Sequence, residues 1–366
     1  MNASSRWWWC RTGWVMPALI LALLVSDGAL RLVPLRFFAF RAWEGLLHGD
    51  QPHRVFAPDQ HVHSPRCYGD LASAANRRDL REYHVEDFTT DALGFRNPPG
   101  LSEHGPISVL VNGNSFAVGV GVSDDETLGA RLTERLGVGV YTIAGVPTPR
   151  VADLVALRPH LAMQSGGVLL HVYLEGYELK GPEEQEQPAY RFDLPPRSQL
   201  VENFWISRLS ILALQEKKWL RPHWHEEGVA VRTLRNGQPI LFPAPDLAHY
   251  ADESPPDVGA WRWLGARVER EGLALIVVLV PDKFTVYAPL LRKPPPRPRV
   301  QRVDRLEELL RAAGVRVINL KPIFEARAAE ELDQGRTIYW RDDTHWNARG
   351  IELAADEIAK ELRRSP

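Results

Sequence analysis

Five short apolar runs, separated by stretches with helical periodicity, most constrain how this 366-residue chain can fold. The third run, 167–173, is largely apolar on both faces, as the strands of a parallel sheet are when helices cover the sheet on each side. Strands that alternate with helices along the chain predict an α/β fold with a mostly parallel sheet. The predicted strands are 107–111, 140–144, 167–173, 273–280 and 315–320.

Helical segments are predicted between and after these strands. A long insertion, at about 178–258, separates the third strand from the fourth. Within it we expect a helix over 201–220 and a hairpin over 229–242 that turns at Asn236-Gly237. The other predicted helices are 126–136, 151–161, 258–271, 303–313 and 347–363.

The chain divides into three predicted regions. Residues 1–30 form a membrane anchor or signal segment, and 31–105 form a partly helical lead-in that packs on the core. Residues 106–366 form the main domain with its insertion. A chain of this length can bury one large core or two smaller ones.

The N-terminal segment carries the signals of a membrane anchor. Arg6 and Arg11 precede an apolar run at 14–25, and the cluster Trp7-Trp8-Trp9 suits a membrane interface. The run is shorter than the roughly 20 residues of a comfortable span, and a cleaved signal peptide is the alternative. Because no clear cleavage site follows, we favour an uncleaved anchor.

Net charge and cysteine content argue against nucleic-acid binding and against a cysteine metal cluster. The formal net charge of −2 gives no indication of nucleic-acid binding. With two cysteines, Cys10 and Cys67, no cysteine metal cluster is expected, and we predict neither a metal nor a cofactor.

Two distant segments together carry the residues of nucleophilic catalysis. Ser115, in Gly113-Asn114-Ser115, follows the first predicted strand, and His345 follows Asp342 and Asp343 in a C-terminal loop. A serine hydroxyl becomes a nucleophile when an imidazole accepts its proton and a carboxylate holds that imidazole in the right tautomer. Because both segments are expected at the carboxyl edge of one sheet, the fold can bring them together.

These motifs resemble those of the SGNH (GDSL-type) hydrolase superfamily, and more closely its membrane-anchored bacterial branch, which includes alginate O-acetyltransferase-like proteins. The resemblance covers roughly residues 85–366. It implies an SGNH-like three-layer α/β/α domain. The segments that carry it are Gly113-Asn114-Ser115, Phe88-Thr89-Thr90-Asp91-Ala92-Leu93-Gly94-Phe95-Arg96-Asn97, the glycine-rich 118–128, Val280-Pro281-Asp282-Lys283 and His345-Trp346-Asn347.

The resemblance also implies roles for single residues. Ser115 is the expected nucleophile and His345 the base. Asp342 stands at the superfamily's Asp-x-x-His position and Asp343 at the Asp-x-His position of the alginate branch, and the context favours Asp343. The backbone N–H groups of Ser115 and Gly145 are the expected oxyanion donors. Residues expected to contact substrate are Lys283, Tyr287, Glu175 and Trp346.

Two positions depart from the superfamily pattern. Asn114 stands where an aspartate is usual, and Glu175 follows the third strand where an oxyanion asparagine is usual. An ionised glutamate cannot donate a hydrogen bond, so that donor is absent or comes from elsewhere.

The implied function is that of a membrane-anchored O-acetyltransferase or acetylesterase acting on an envelope or secreted polysaccharide. Its partners would be an acyl donor, a carbohydrate acceptor and a membrane-bound acyltransferase. The chain would lie at the inner membrane as a single-pass protein with its body in the periplasm or exterior. The alternative is a weak or inactive SGNH-like domain that binds glycan or serves as a scaffold.

Overall fold

A computed structural model describes residues 14–33, 41, 43, 56–101, 106–145, 148–188, 190, 228–252, 254 and 256–364. The predicted helix over 201–220 lies outside the described residues, as do the cluster Trp7-Trp8-Trp9, Cys10 and the two arginines Arg6 and Arg11.

The core is a five-stranded sheet in which every neighbouring pair of strands is parallel. In spatial order the strands are β4 (Gly139–Ala144), β3 (Ile107–Gly113), β5 (Met163–Leu174), β8 (Ala274–Val280) and β9 (Arg316–Asn319). The predicted α/β fold with a parallel sheet is therefore confirmed.

This strand order creates a switch point beside β3. The chain passes from β3 outward to β4 and then returns to place β5 on the other side of β3. In open α/β sheets, ligands bind outside the carboxyl ends of the strands at such a point. The segment after β3, which begins with Asn114 and Ser115, therefore lies where the fold leaves room for chemistry.

Helices pack on the sheet because each presents one apolar face. The C-terminal helix α12 (Ala348–Arg363), for example, buries Ile351, Ala354, Ala355 and Ile358 and packs against α4 (Leu128–Leu136). The helices that follow β3 are α3 (Ser115–Val118), α4 (Leu128–Leu136), α5 (Val151–Leu157), α6 (Pro182–Gln185), α7 (Ala244–Ala251), α8 (Gly259–Arg270), α9 (Lys283–Tyr287), α10 (Arg302–Ala312), α11 (Lys321–Asp333) and α12 (Ala348–Arg363).

Several predicted elements are confirmed with shifted ends, and others were not predicted. The first predicted helix splits into a 3-10 turn, Asp124–Glu126, and α4, whose cap is Thr127. The helix α11 was not predicted, although Phe324, Ala328 and Leu332 recur at helical spacing and are buried. The insertion contains the predicted hairpin as β6 (Val229–Thr233) and β7 (Pro239–Pro243).

Two structures precede the core. One is the helix α1 (Val15–Leu30), none of whose residues is buried. Among the residues that the structure describes, no helix combines the length and the apolar character needed to cross a membrane. The other is an antiparallel pair, β1 (His61–Cys67) and β2 (His84–Thr89), linked through the one-turn helix α2 (Asp70–Ala74).

Candidate active site

Ser115 begins the short helix α3 at the carboxyl end of β3. Asn114 caps this helix, because its side-chain oxygen accepts a hydrogen bond from the backbone N–H of Phe116 at 3.1 Å. Asparagine is as good a helix cap as aspartate, so the departure at this position keeps the local geometry. Ser115 itself is half-buried, whereas the next three residues of α3 are buried. The hydroxyl is thus held by a rigid turn and remains accessible.

His345 lies in a tight loop that brings it to the same edge. The loop is closed by an isolated bridge between Tyr339 and Trp346 and by a bond from the Trp340 N–H to the His345 carbonyl oxygen. Asn347 ends it by capping α12 through its side chain. A loop closed at both ends leaves the imidazole few alternative positions.

Ser115, His345 and Asp343 form one hydrogen-bonded row. Ser115 Oγ lies 2.7 Å from His345 Nε2, and His345 Nδ1 lies 2.6 Å from Asp343 Oδ1. An ionised carboxylate only accepts hydrogen bonds, so the proton sits on Nδ1 and Nε2 accepts from the serine hydroxyl. This is the arrangement that a serine nucleophile and its base require.

Asp343 is fully buried and is held in its ionised form by several donors. It forms a buried ion pair with Arg41, and its Oδ2 accepts the Asp70 N–H at 3.1 Å. Burial alone would raise the pKa of this carboxyl, but the charges of Arg41 and His345 and the hydrogen bonds from His345 hold the pKa well below its ordinary value. Asp343 therefore stays ionised and orients the imidazole.

Asp342 faces away from this row. Its Oδ2 accepts the backbone N–H groups of Gly69 and Glu82, each at 2.8 Å. Burial raises its pKa to about 6. Of the two predicted aspartates, the structure thus brings Asp343 to the imidazole, while Asp342 joins the loop to the lead-in region.

The lead-in region contributes residues that sequence reasoning missed. Arg41 and Asp70 both contact Asp343, and Asp70 Oδ1 also accepts the Thr344 N–H at 2.8 Å. Glu82 accepts from the Arg341 N–H at 2.8 Å. No local pattern marks these side chains, because their partners lie more than 250 positions further along the chain.

The two predicted oxyanion donors, the backbone N–H groups of Ser115 and Gly145, differ in their hydrogen bonds. Gly145 donates its N–H to the Gly113 carbonyl oxygen at 3.1 Å, which extends the β3–β4 ladder past the end of the strands. The assignment of Gly145 as a donor is thus corrected. The Ser115 N–H has no bond to another described residue, and residues 146–147 lie outside the described part of the chain.

Lys283 and Tyr287 are structural and not exposed to a substrate, which corrects their predicted role. Both are buried on α9. Lys283 Nζ donates to the backbone carbonyl oxygens of Leu241, Arg341 and Asp343, the last at 2.8 Å. Two of these belong to the His345 loop, so the ammonium group stabilises that loop. The Tyr287 hydroxyl accepts the Ile338 N–H at 2.9 Å.

Trp346 and Glu175 also depart from their predicted role as substrate contacts. Trp346 is fully buried and packs edge-on against Phe116 at 5.5 Å between ring centres. Glu175 is buried at the end of β5, and its Oε2 accepts the Asp282 N–H at 3.1 Å. Both side chains are used within the fold.

Comparison with known proteins bears on the C-terminal part of this site. Residues 241–366 match a family described as the SGNH hydrolase-like domain of the acetyltransferase AlgX. This part of the chain is similar to an SGNH hydrolase-like domain. The matched residues include Asp343 and His345 but not Ser115. No curated protein matches the chain.

The family match confirms the predicted resemblance and agrees with the observed fold. An SGNH hydrolase-like domain of this type indicates an acetyltransferase-like or esterase-like function. Within the matched residues, Asp343, two positions before His345, is the carboxylate that contacts the imidazole.

Proposed function

We propose that this protein is a serine-dependent acyl-ester enzyme that transfers or hydrolyses acetyl groups on an envelope or secreted polysaccharide. The observation that carries the proposal is the hydrogen-bonded row of Ser115, His345 and Asp343, with the serine half-buried and the other two buried. The SGNH hydrolase-like match supports the same class of reaction.

The geometry supports the following first half of the proposed reaction. Ser115 Oγ attacks the acyl carbonyl carbon as its proton passes to His345 Nε2. Asp343 stabilises the imidazolium, which then returns the proton to the departing oxygen of the donor. The acetyl group is left as an ester on Ser115.

The second half decides between hydrolysis and transfer. Water or a sugar hydroxyl gives its proton to His345 and attacks the acetyl ester, and Ser115 regains its proton as the bond to the acetyl group breaks. The two outcomes share one acyl-enzyme. We propose a carbohydrate hydroxyl as the acceptor, on the strength of the AlgX-type match.

Partners and location extend this proposal. We propose that the N-terminal segment tethers the body to the inner membrane, outside the cytoplasm, where a membrane-bound acyltransferase supplies the acyl group. The exposed apolar side chains of α1 support a tether, since none of them is buried against the body. Among the described residues, the free and buried Cys67 is compatible with an oxidising compartment.

A second candidate function has a specific observation in its favour. Of the two expected oxyanion donors, the Gly145 N–H is engaged, and a glutamate replaces the family asparagine. Loss of one such donor typically costs about 10²–10³ in rate. A slow enzyme, or a domain that binds glycan without turnover, would have this arrangement.

The direct test is the reactivity of Ser115. Ser115→Ala should abolish both labelling by a serine-directed fluorophosphonate and release of acetate from a chromogenic acetyl ester. Ser108 provides a matched control, because it is a half-buried serine at the opposite end of β3 whose hydroxyl bonds Gln164 at 2.6 Å and not an imidazole. Ser108→Ala should keep labelling and turnover.

Two results would contradict the enzyme reading. Labelling that persists in Ser115→Ala would place the reactive group elsewhere. Absence of labelling and turnover in the wild-type protein, with acetylated glycan still bound, would favour the binding module. If labelling occurs as expected, incubation with an acetyl donor and a polysaccharide separates the two activities, since a transferase acetylates the glycan while an esterase only releases acetate.

A further inference from the structure

A second group of potential ligands lies at the same edge of the sheet and shares no residue with the Ser115 row. Asp246 and His249 project from α7, and Asp282 follows β8. One ligand atom from each of the three lies within 4.8 Å of the others. Asp246 and His249 are three positions apart on a helix, so they share one face of it.

Asp282 leaves one carboxylate oxygen without a partner. Its Oδ1 caps α9 by accepting the Thr285 N–H at 2.6 Å. Its Oδ2 is buried and has no hydrogen-bond partner among the described residues, and the residue is only 2% exposed. An unpaired buried carboxylate oxygen is costly, which indicates that the native protein supplies a partner there that the described side chains do not.

The charges around this group do not balance within the described residues. Glu175, also buried, adds a third carboxyl through its bond to the Asp282 N–H. Lys283 and Lys321 are the nearby cations, but Lys283 Nζ is used by three backbone carbonyls and Lys321 Nζ bonds Asp304 at 2.6 Å.

We propose that Asp246, His249 and Asp282 bind a divalent transition-metal cation. Two carboxylates balance its charge, and one imidazole with two oxygens suits Zn²⁺ or Mn²⁺ better than the all-oxygen sets that Mg²⁺ and Ca²⁺ prefer. Zinc bonds to such ligands are about 2.0–2.2 Å long, so small side-chain movements bring the three atoms from their present spacing onto one ion.

The proposed cation site lies at the start of α9, the helix whose Lys283 contacts the His345 loop. Asp282 begins α9, and the adjacent Lys283 donates to the Asp343 carbonyl oxygen at 2.8 Å. A cation on Asp282 therefore anchors the start of the helix that supports the His345 loop. Binding does not require that Ser115 act as a nucleophile, so the proposed function and this site can fail independently.

The test measures binding directly on the full-length protein. After removal of metal with a chelator, Zn²⁺ and Mn²⁺ are titrated separately by calorimetry, and the bound metal is counted by mass spectrometry. We expect one equivalent of at least one of the two ions and a higher melting temperature in its presence. Asp246 and His249 are half-buried, so the double variant Asp246→Asn, His249→Gln should fold.

The double variant should lose the metal. Because even indirect support of a metal ligand is worth about 10–100-fold in affinity, removing two ligands should weaken binding by more than that. The matched control is His63→Gln with Asp87→Asn, which removes an exposed imidazole–carboxylate pair, 2.7 Å apart, from the β1–β2 hairpin. That variant should bind metal as the wild-type protein does.

Three results would overturn the proposal. One is a wild-type protein that binds neither ion, which would leave the three carboxyls as a proton-sharing group. Another is loss of metal binding in the His63→Gln, Asp87→Asn variant together with retained metal binding in the Asp246→Asn, His249→Gln variant. The third is metal lost only with Asp343→Asn, since Asp70, Asp343 and His345 form the other described group with suitable spacing.

Discussion

Asp342 and Asp343 are neighbours with equal burial, yet their environments give them opposite acid–base properties. Neither is exposed. Asp343 has the Arg41 guanidinium beside it, whereas Asp342 accepts hydrogen bonds from backbone N–H groups alone. A full positive charge stabilises a buried carboxylate far more than a peptide dipole does. The pKa of Asp343 is therefore lowered, whereas burial raises the pKa of Asp342.

This difference predicts how the two aspartates respond to substitution. Asp343→Asn should lower kcat on an acetyl ester by up to about 10⁴-fold, because an amide favours the wrong imidazole tautomer. Asp342→Asn should retain most of kcat, since it has no bond to His345. Steady-state kinetics on the two variants, with circular dichroism to verify folding, makes the comparison. Equal losses would show that the carboxylate at 343 does not orient the base.

Stability against pH provides an independent check on Asp342. Its pKa is higher in the folded protein, about 6, than in the unfolded chain, so the native state takes up the extra proton between about pH 4 and 6. The free energy of unfolding contributed by this group therefore rises as pH falls through that window. Asp342→Asn should remove this contribution, which urea denaturation at several pH values would detect.

At the scale of elements, the β1–α2–β2 unit is part of the site. The turn into α2 brings Gly69 and Asp70 against the loop that carries His345, and Glu82, two residues before β2, contacts the same loop. Gly69 has no room for a side chain, since a Cβ there would lie 2.0 Å from the Asp342 carbonyl oxygen. This unit and the C-terminal loop therefore form one packed structure.

Gly69→Ala should separate the two segments. The clash is with backbone, so the loop must shift, at a cost of about 1–3 kcal/mol in stability and a loss of turnover. Thermal denaturation and acetyl-ester kinetics measure the two effects. Gly181→Ala is the matched control, because its φ is −67° and a Cβ there meets nothing within 4 Å. Wild-type behaviour of Gly69→Ala would mean that this contact does not hold the loop.

At the scale of the whole molecule, the body and the N-terminal helix have different surfaces. The body buries its apolar side chains around the parallel sheet, whereas α1 exposes its own, with Leu19 at 53% and Val25 at 63%. Exposed apolar side chains on one helix are expected to find a partner surface.

We predict that this segment holds the protein at a membrane. The full-length protein should sediment with membranes and resist a carbonate wash, whereas a chain that starts at residue 34 should be soluble and keep esterase activity. Fractionation followed by immunoblotting distinguishes the outcomes. Full-length protein in the soluble fraction would contradict an anchor, and a shortened soluble form would indicate a cleaved signal instead.

Much of the architecture was predictable because its signals are local. The run at 273–280 is apolar on both faces, which predicts a buried parallel strand, and Asn236-Gly237 predicts a hairpin turn; both are present. β9 is shorter than predicted and the helix α11 next to it was not predicted, because Pro322 follows the strand closely and the helix has a weakly one-sided pattern.

Local sequence patterns are enough to predict the parallel sheet, and with it the placement of Ser115 and His345 at one edge, because strand periodicity and strand ends are local properties. The partners of the aspartates, in contrast, follow from the three-dimensional packing. Arg41 and Asp70 reach Asp343 across 302 and 273 positions, and Lys283 and Trp346 turn inward to packing roles. Such contacts depend on which segments pack against each other in the folded chain, and residue type and spacing along the sequence do not specify this packing.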